Sequence, residues 1–228
     1  MIVVKEPVLG QVKTRLAAGV GGAYALALYQ AFVADTIAVA RTVPGVDLGL
    51  VFWPPSAYAY FRTLCPHAVL FGQRGADLGE RLFNAFEQAY AAGYEQCVII
   101  SSDSPNVPAA YLRRAFELLD DASVVLGPCE DGGYYLIGMH VPQPVLFEGI
   151  TWSTEVVYQQ TVDRAAGAGL QLATLPVWYD IDTVADLTQL RADLVKQPGA
   201  APDATLAVLN QMVTPAADTY EGAEKSHA

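Results

Sequence analysis

Residues 97–119 read CVIISSDSPNVPAAYLRRAFELL, and this stretch sets the class of fold. CVIIS is short, apolar and β-branched, the mark of a strand buried on both faces. Pro105 and Pro108 then break the chain, and from 109 the apolar residues return at helical spacing. The same strand–turn–helix unit recurs in both directions. The pattern predicts strands at 2–4, 47–52, 68–71, 97–101, 123–126, 134–137 and 171–175, with helices at 23–43, 78–92, 109–119, 154–168 and 184–194. Such alternation predicts an α/β sandwich of parallel strands joined by crossover helices. After Lys196 the chain turns to QPGAAPDAT and later to PAADTYEGAEKSHA. The expectation is one folded domain over 1–195, then a linker, a possible short helix at 204–213 and a disordered tail over 196–228.

The chain has 228 residues, 53% hydrophobic and 16% charged, enough to bury a full core. Its net charge of -11 argues against nucleic acid or an anionic membrane surface as a partner. Gly, Pro or a charge interrupts each apolar stretch before the roughly 20 residues of a membrane span, and nothing resembles a signal peptide. A cytoplasmic location without a membrane span is therefore expected. Cys65, Cys97 and Cys129 are not clustered, which disfavours structural zinc and a disulfide framework.

Against this acidic background residues 1–34 hold Lys5, Lys13 and Arg15 with a single acid, Glu6. Here the first strand runs into KEPVLGQVKTRL, where Pro7 and Gly10 enforce a turn before regular structure resumes. A crest of that kind offers backbone N–H groups and cations to an anion. Lysines act there as mobile point charges, whereas Arg15 can fork onto two phosphate oxygens. Lys5, Gly10, Lys13 and Arg15 are thus candidate phosphate-binding residues. Val12 and Pro7 stand where a P-loop needs glycine.

Ligands of open α/β sheets bind beyond the carboxyl ends of the strands. Asp103 follows one strand, Asp131 lies in GPCEDGGYYLIG, expected to be a Gly-rich crossover, and Asp180 and Asp182 lie in LPVWYDIDTVADL. Each aspartate also has a plainer reading: Asp103 and Asp182 as helix caps, Asp131–Gly133 as a tight hairpin turn. If Asp103 and Asp182 converge, their repulsion is about 4 kcal/mol at 4 Å and an effective dielectric near 20, which a divalent cation relieves. All-oxygen ligands without His or Cys favour Mg²⁺, with Mn²⁺ as an alternative.

Six runs, KEPVLGQVKTRL, QRGADLGERLFNAF, SSDSPNVP, VVLGPCEDGGYYLIGM, ITWSTEVV and DIDTVADL, occur in an order and spacing that resemble the bacterial glycosyltransferase family associated with radical-SAM and arsenosugar biosynthesis clusters. The resemblance spans about residues 1–195. It implies a three-layer α/β/α sandwich with a mostly parallel sheet, of the GT-A-like (Rossmann-like) nucleotide-diphospho-sugar transferase superfamily, which also holds molybdenum-cofactor and 2-phospho-lactate guanylyltransferases. It implies phosphate contacts from Lys13 and Arg15, Asp103 as principal metal carboxylate and Asp182 as the second. It further implies a nucleoside border at Gln73, Gly75 and Gly79, and a second-substrate side formed by Asp131, Gly132, Gly133, Trp152, Ser153 and Thr154.

Two reactions follow. Either a phosphorylated or hydroxyl acceptor attacks a nucleoside triphosphate and releases pyrophosphate, or a nucleotide-diphosphate sugar gives up its sugar. In both, catalysis rests on Lys13, Arg15 and Asp103, with Asp131 or Glu130 as a candidate base in the second. The alternative is a non-catalytic nucleotide sensor. Acceptor and oligomeric state are not legible in the sequence.

Overall fold

The computed structural model describes residues 1–196 and 202–211. Seven strands, β1 (Ile2–Lys5), β2 (Gly49–Trp53), β3 (Val69–Gly72), β4 (Cys97–Ser101), β5 (Val124–Pro128), β6 (Tyr134–Met139) and β7 (Leu172–Thr174), form one sheet in the order β3-β2-β1-β4-β6-β5-β7. β6 runs antiparallel to both of its neighbours, and the other pairings are parallel. All seven strands lie where the apolar runs place them.

Strand alternation sorts side chains into two layers. Ile2, Val4, Val98 and Ile100 face one core with Tyr29 and Val33 of α2 (Gly22–Arg41) and Leu112 and Ala115 of α5 (Ala109–Leu119). Cys97, Ile99 and Val51 face the other core, with Leu82 and Phe86 of α4 (Leu78–Ala91) and Ala165 of α6 (Val157–Gly167). Burying a side chain such as Phe86 is worth about 1.5–3 kcal/mol. The result is three layers, helices on both faces of the sheet.

A third cluster joins α1 (Thr14–Val20), α2, α7 (Val184–Lys196) and α8 (Asp203–Gln211) through Leu16, Leu28, Phe32, Leu190 and Leu209, with Ile181 at its centre. The short helix expected from 204 is thus docked. Buried Asp35 of α2 accepts the N–H groups of Ala204 and Thr205 and the Thr205 hydroxyl, at 2.9, 2.7 and 2.6 Å. Residues 197–201 and 212–228, where the linker and tail were expected, lie outside the described residues.

Four sequence expectations change. Helices α1 and α3 (Tyr58–Leu64) were not foreseen; each has only seven residues, too few for a period to stand out. α6 begins at Val157 rather than 154, because Ser153 adopts a left-handed φ of 64° and Thr154 closes a turn onto Thr151. The link carrying Asp131 is a hairpin, since five residues cannot cross over between parallel strands. Finally, α2 reaches span length with a mean hydropathy of 1.4, but half of that window is buried inside the fold.

Candidate active site

In the order β3-β2-β1-β4-β6-β5-β7 the connections leave β1 toward one edge and resume at β4 toward the other, so the crevice of the sheet opens beyond the ends of β1 and β4. The loop after β1 ends at Lys13, and the loop after β4 holds Asp103. Because β6 is reversed, its hairpin with β5 emerges at this same end. The segment after β7 also returns here, pinned by bridging of Cys129 with Trp178 and by the Ile181 N–H, which donates to the Asp103 carbonyl at 2.9 Å.

Lys13 is the centre of the arrangement. Its backbone caps α1 in a left-handed conformation, φ 47°. Its side chain is only 3% exposed, with Nζ 2.6 Å from Asp103 Oδ1 and 2.9 Å from Asp182 Oδ1, and 5.7 Å from the Phe32 ring centroid. Arg15, 73% exposed, reaches Asp182 Oδ2 through Nη2 at 2.5 Å. Asp103 and Asp182 keep 38% and 30% of their side-chain surface in solvent, so the cluster has an open face. Both carboxylates therefore converge on the Lys13 ammonium.

The electrostatics follow from that geometry. Burial works against the Lys13 charge, but Asp103 and Asp182 outweigh it and hold its pKa above the ordinary lysine value. Burial likewise opposes ionisation of Asp182, and Lys13 and Arg15 overcome it, lowering its pKa. Among the described residues no cation pairs with Asp180. Burial, then the neighbouring Asp103 charge, raise it to about 6, against the hydrogen bond that Ser104 Oγ donates to it. Beside it, burial and Asp180 push the Cys129 thiol up.

Asp182 is free for this role because the helix behind it is capped by others. Asp186 Oδ2 accepts the N–H groups of Asp182 and Thr183 at 2.9 and 2.7 Å, and Thr183 Oγ1 accepts the Asp186 N–H at 3.3 Å. This reciprocal cap replaces the capping duty weighed for Asp182. Asp180 and Ser104 were given no role from sequence; the two-residue spacing of Asp180 and Asp182 was the available signal.

The remaining candidates divide. Gly10, φ 77°, sits in the turn closed by the Gln11 N–H onto Val8 O at 3.0 Å. Lys5 projects at the exposed end of β1, with its N–H donated to Tyr29 Oη at 2.7 Å. Gln73 is turned inward: its buried carboxamide donates to Val51 O at 3.0 Å. Gly75 and Gly79 flank the start of α4, where the Asp77 side chain accepts the Glu80 N–H. Gly79 is a close approach, since a Cβ there would meet the Trp152 indole at 2.6 Å. Gly132, φ 86°, packs against Glu155 with no room for a side chain, and its carbonyl accepts the Tyr158 N–H at 2.8 Å. Asp131, Gly132, Gly133, Trp152, Ser153 and Thr154 therefore form one joined wall, reaching the start of α4, outside the Lys13 ion-pair cluster.

Residues 36–154 match the family model described as an uncharacterized protein conserved in bacteria (DUF2064). The crystal structure of a candidate nucleotide-diphospho-sugar transferase from Desulfovibrio desulfuricans G20 is 35% identical, with a TM-score of 0.84 over 92% of this chain and 95% of that one. The chain belongs to the DUF2064 family. Two more distant structures share this DUF2064 protein's fold. One is a CMP:2-keto-3-deoxy-manno-octonic acid synthetase complexed with CTP, 13% identical, TM-score 0.54, covering 86% of this chain and 98% of that one. The other is a cytidylyltransferase from Leptospira borgpetersenii serovar Hardjo-bovis, 11% identical, TM-score 0.54, covering 92% of each chain. The fold is thus the three-layer, mostly parallel, nucleotide-diphospho-sugar transferase type. No curated protein matches the sequence.

Proposed function

We propose that the chain is a nucleotide-using transferase whose donor polyphosphate lies at the Lys13 cluster. The observation that carries this reading is the buried Lys13 ammonium, shared by Asp103 and Asp182 at the crevice of the sheet. A lysine and an exposed arginine on one side, with half-open carboxylates on the other, form a set of fixed charges suited to phosphates. The name of the Desulfovibrio structure supports the same class. Assignment to the branch associated with radical-SAM and arsenosugar clusters rests on the six ordered motifs.

Magnesium is part of the proposal. The carboxylates of Asp103 and Asp182 supply hard oxygen donors, and no group of three or more metal-binding side chains is preassembled among the described residues. That matches a cation bound by one or two carboxylates, waters and substrate phosphates rather than by a protein cage. When bound, it would neutralise phosphate charge. Arg15 orients the donor, and Asp103 and Asp182 would hold the cation that the phosphates need beside them.

One observation bears on the acceptor. The wall formed by 129–133 and 151–156 contains Glu130, Asp131 and Glu155, and residues 115–163 hold no Lys or Arg at all. These three acids would repel a phosphorylated acceptor on that side. An uncharged hydroxyl acceptor beside Trp152 fits better, with Asp131 as the candidate base, and this favours sugar transfer from a nucleotide-diphosphate sugar.

Thermal shift with nucleoside triphosphates and nucleotide sugars, each with and without Mg²⁺, on the wild type and Asp103→Ala tests the reading. The expected result is a stabilisation that needs both metal and Asp103, larger for a nucleotide sugar. Absence of any shift across the panel overturns the donor assignment.

A further inference from the structure

We infer that Lys13 is the residue that makes cation entry conditional on the donor: its ammonium occupies the carboxylate bridge in the free protein and leaves it only when a polyphosphate takes it up. This rests on the proposed donor site. It goes beyond a phosphate contact, because it assigns Lys13 a second task in the absence of substrate.

The geometry defines that task. Nζ lies at 2.6 and 2.9 Å from one oxygen of each acid, the lengths of charge-assisted hydrogen bonds. The second oxygen of Asp182 is held by Arg15. A divalent cation that ligates Asp103 and Asp182 needs oxygens at about 2.0–2.1 Å and cannot tolerate an ammonium in the same gap. Lys13 therefore competes directly with it. The side chain is almost wholly buried, with Nζ 5.7 Å from the Phe32 ring centroid, so it does not simply swing into water without losing both partners.

A polyphosphate changes the balance by offering Nζ replacement oxygens on the open face of the cluster. The flexible four-carbon stem lets the charge move while the backbone stays fixed as the cap of α1. The exchange leaves one oxygen of each carboxylate, Asp103 Oδ1 and Asp182 Oδ1, free for the cation. Metal and polyphosphate then bind cooperatively, and by linkage each raises the affinity of the other by the same factor. An idle site would hold little divalent cation.

The test reads metal binding itself, with Mn²⁺ as the probe and free Mn²⁺ followed by its paramagnetic resonance signal. Wild-type protein without ligand is expected to bind Mn²⁺ weakly, and Lys13→Met, with the bridge vacated, at least about tenfold more tightly. Adding Asp103→Asn to Lys13→Met should remove that gain, which places the ion at the bridge. Thermal unfolding confirms that each variant is folded; Lys13→Gln, which keeps a hydrogen-bond donor, carries the same expectation in smaller degree if Lys13→Met is not. Equal Mn²⁺ affinity in wild type and the folded variant overturns the inference. So does a gain that survives Asp103→Asn. Failure of pyrophosphate or any nucleotide to bind the wild type at any metal concentration instead removes the donor reading beneath it.

Discussion

The Ile181 N–H donates to the Asp103 carbonyl at 2.9 Å, joining the two loops whose side chains share Lys13. Ile181 is itself fully buried, in the cluster formed by α1, α2 and α7. Site geometry is therefore held from the core. Ile181→Ala should cost about 2–5 kcal/mol of stability, and should weaken donor binding although no site side chain is altered. Ile181→Val should keep donor affinity near the wild type. Chemical denaturation and titration calorimetry on both variants check this; unchanged donor affinity in a destabilised Ile181→Ala would show that the clip does not position the acids.

Asp180 makes a pH-dependent prediction. Its folded pKa, about 6, lies above the ordinary carboxylate value of 3.8, so the fold binds this proton more tightly than the unfolded chain does. Stability from this group is greatest below pH 4 and declines as pH rises to about 6, by roughly 2–3 kcal/mol. Asp180→Asn keeps an acceptor for Ser104 and removes the charge. In chelator-treated protein its melting temperature should exceed that of the wild type at pH 8 and converge with it near pH 4. A variant less stable at pH 8 would contradict the sign.

The Asp35 clasp predicts that α8 is a supporting part of the catalytic domain. Removing a buried carboxylate that accepts three hydrogen bonds leaves two N–H groups of α8 unpaired. Asp35→Ala should cost about 2 kcal/mol or more and speed proteolysis near residue 203. Asp35→Asn, with one acceptor oxygen, should fall between. Limited proteolysis with mass mapping reads both.

At Gly132 a Cβ would stand 2.0 Å from the Glu155 carbonyl oxygen, in a backbone conformation that L-residues avoid. Gly132→Ala should part the 129–133 and 152–155 loops and cost about 1–3 kcal/mol. Because these loops lie outside the Lys13 cluster, donor-induced thermal shift should persist while transfer to an acceptor falls at least about tenfold. Loss of donor binding as well would show that the two sides are not separable.

The strands were legible because each is a run of β-branched and apolar residues, such as CVIIS or VVLG, bounded by turn formers. Their parallel arrangement followed from the helical segments between them. The reversal of β6 was legible only as the plainer hairpin reading of Asp131–Gly133, which the five residues from Cys129 to Gly133, too few for a crossover, favour. In the site, Lys13, Arg15, Asp103 and Asp182 were recognisable as types placed at strand ends. Their mutual pairing was not, since Lys13 and Asp182 are 169 positions apart and only the fold brings them together. Gln73 shows the converse: a polar residue in a functional-looking run, Gln73–Asp77, is turned into the sheet to satisfy a backbone carbonyl. Nor did anything local in α2 reveal that Asp35 receives α8.

The reversal of β6 has a consequence for how such proteins diversify. A hairpin at the mouth of the crevice can change its exposed side chains, Glu130 and Asp131, without altering the register of any strand behind it. The cation-bearing loop after β1 lies two strands away and is untouched by such changes. On the proposed reading, the half that carries the activated group is thus built apart from the half that meets its recipient, and the recipient can change without disturbing the carrier.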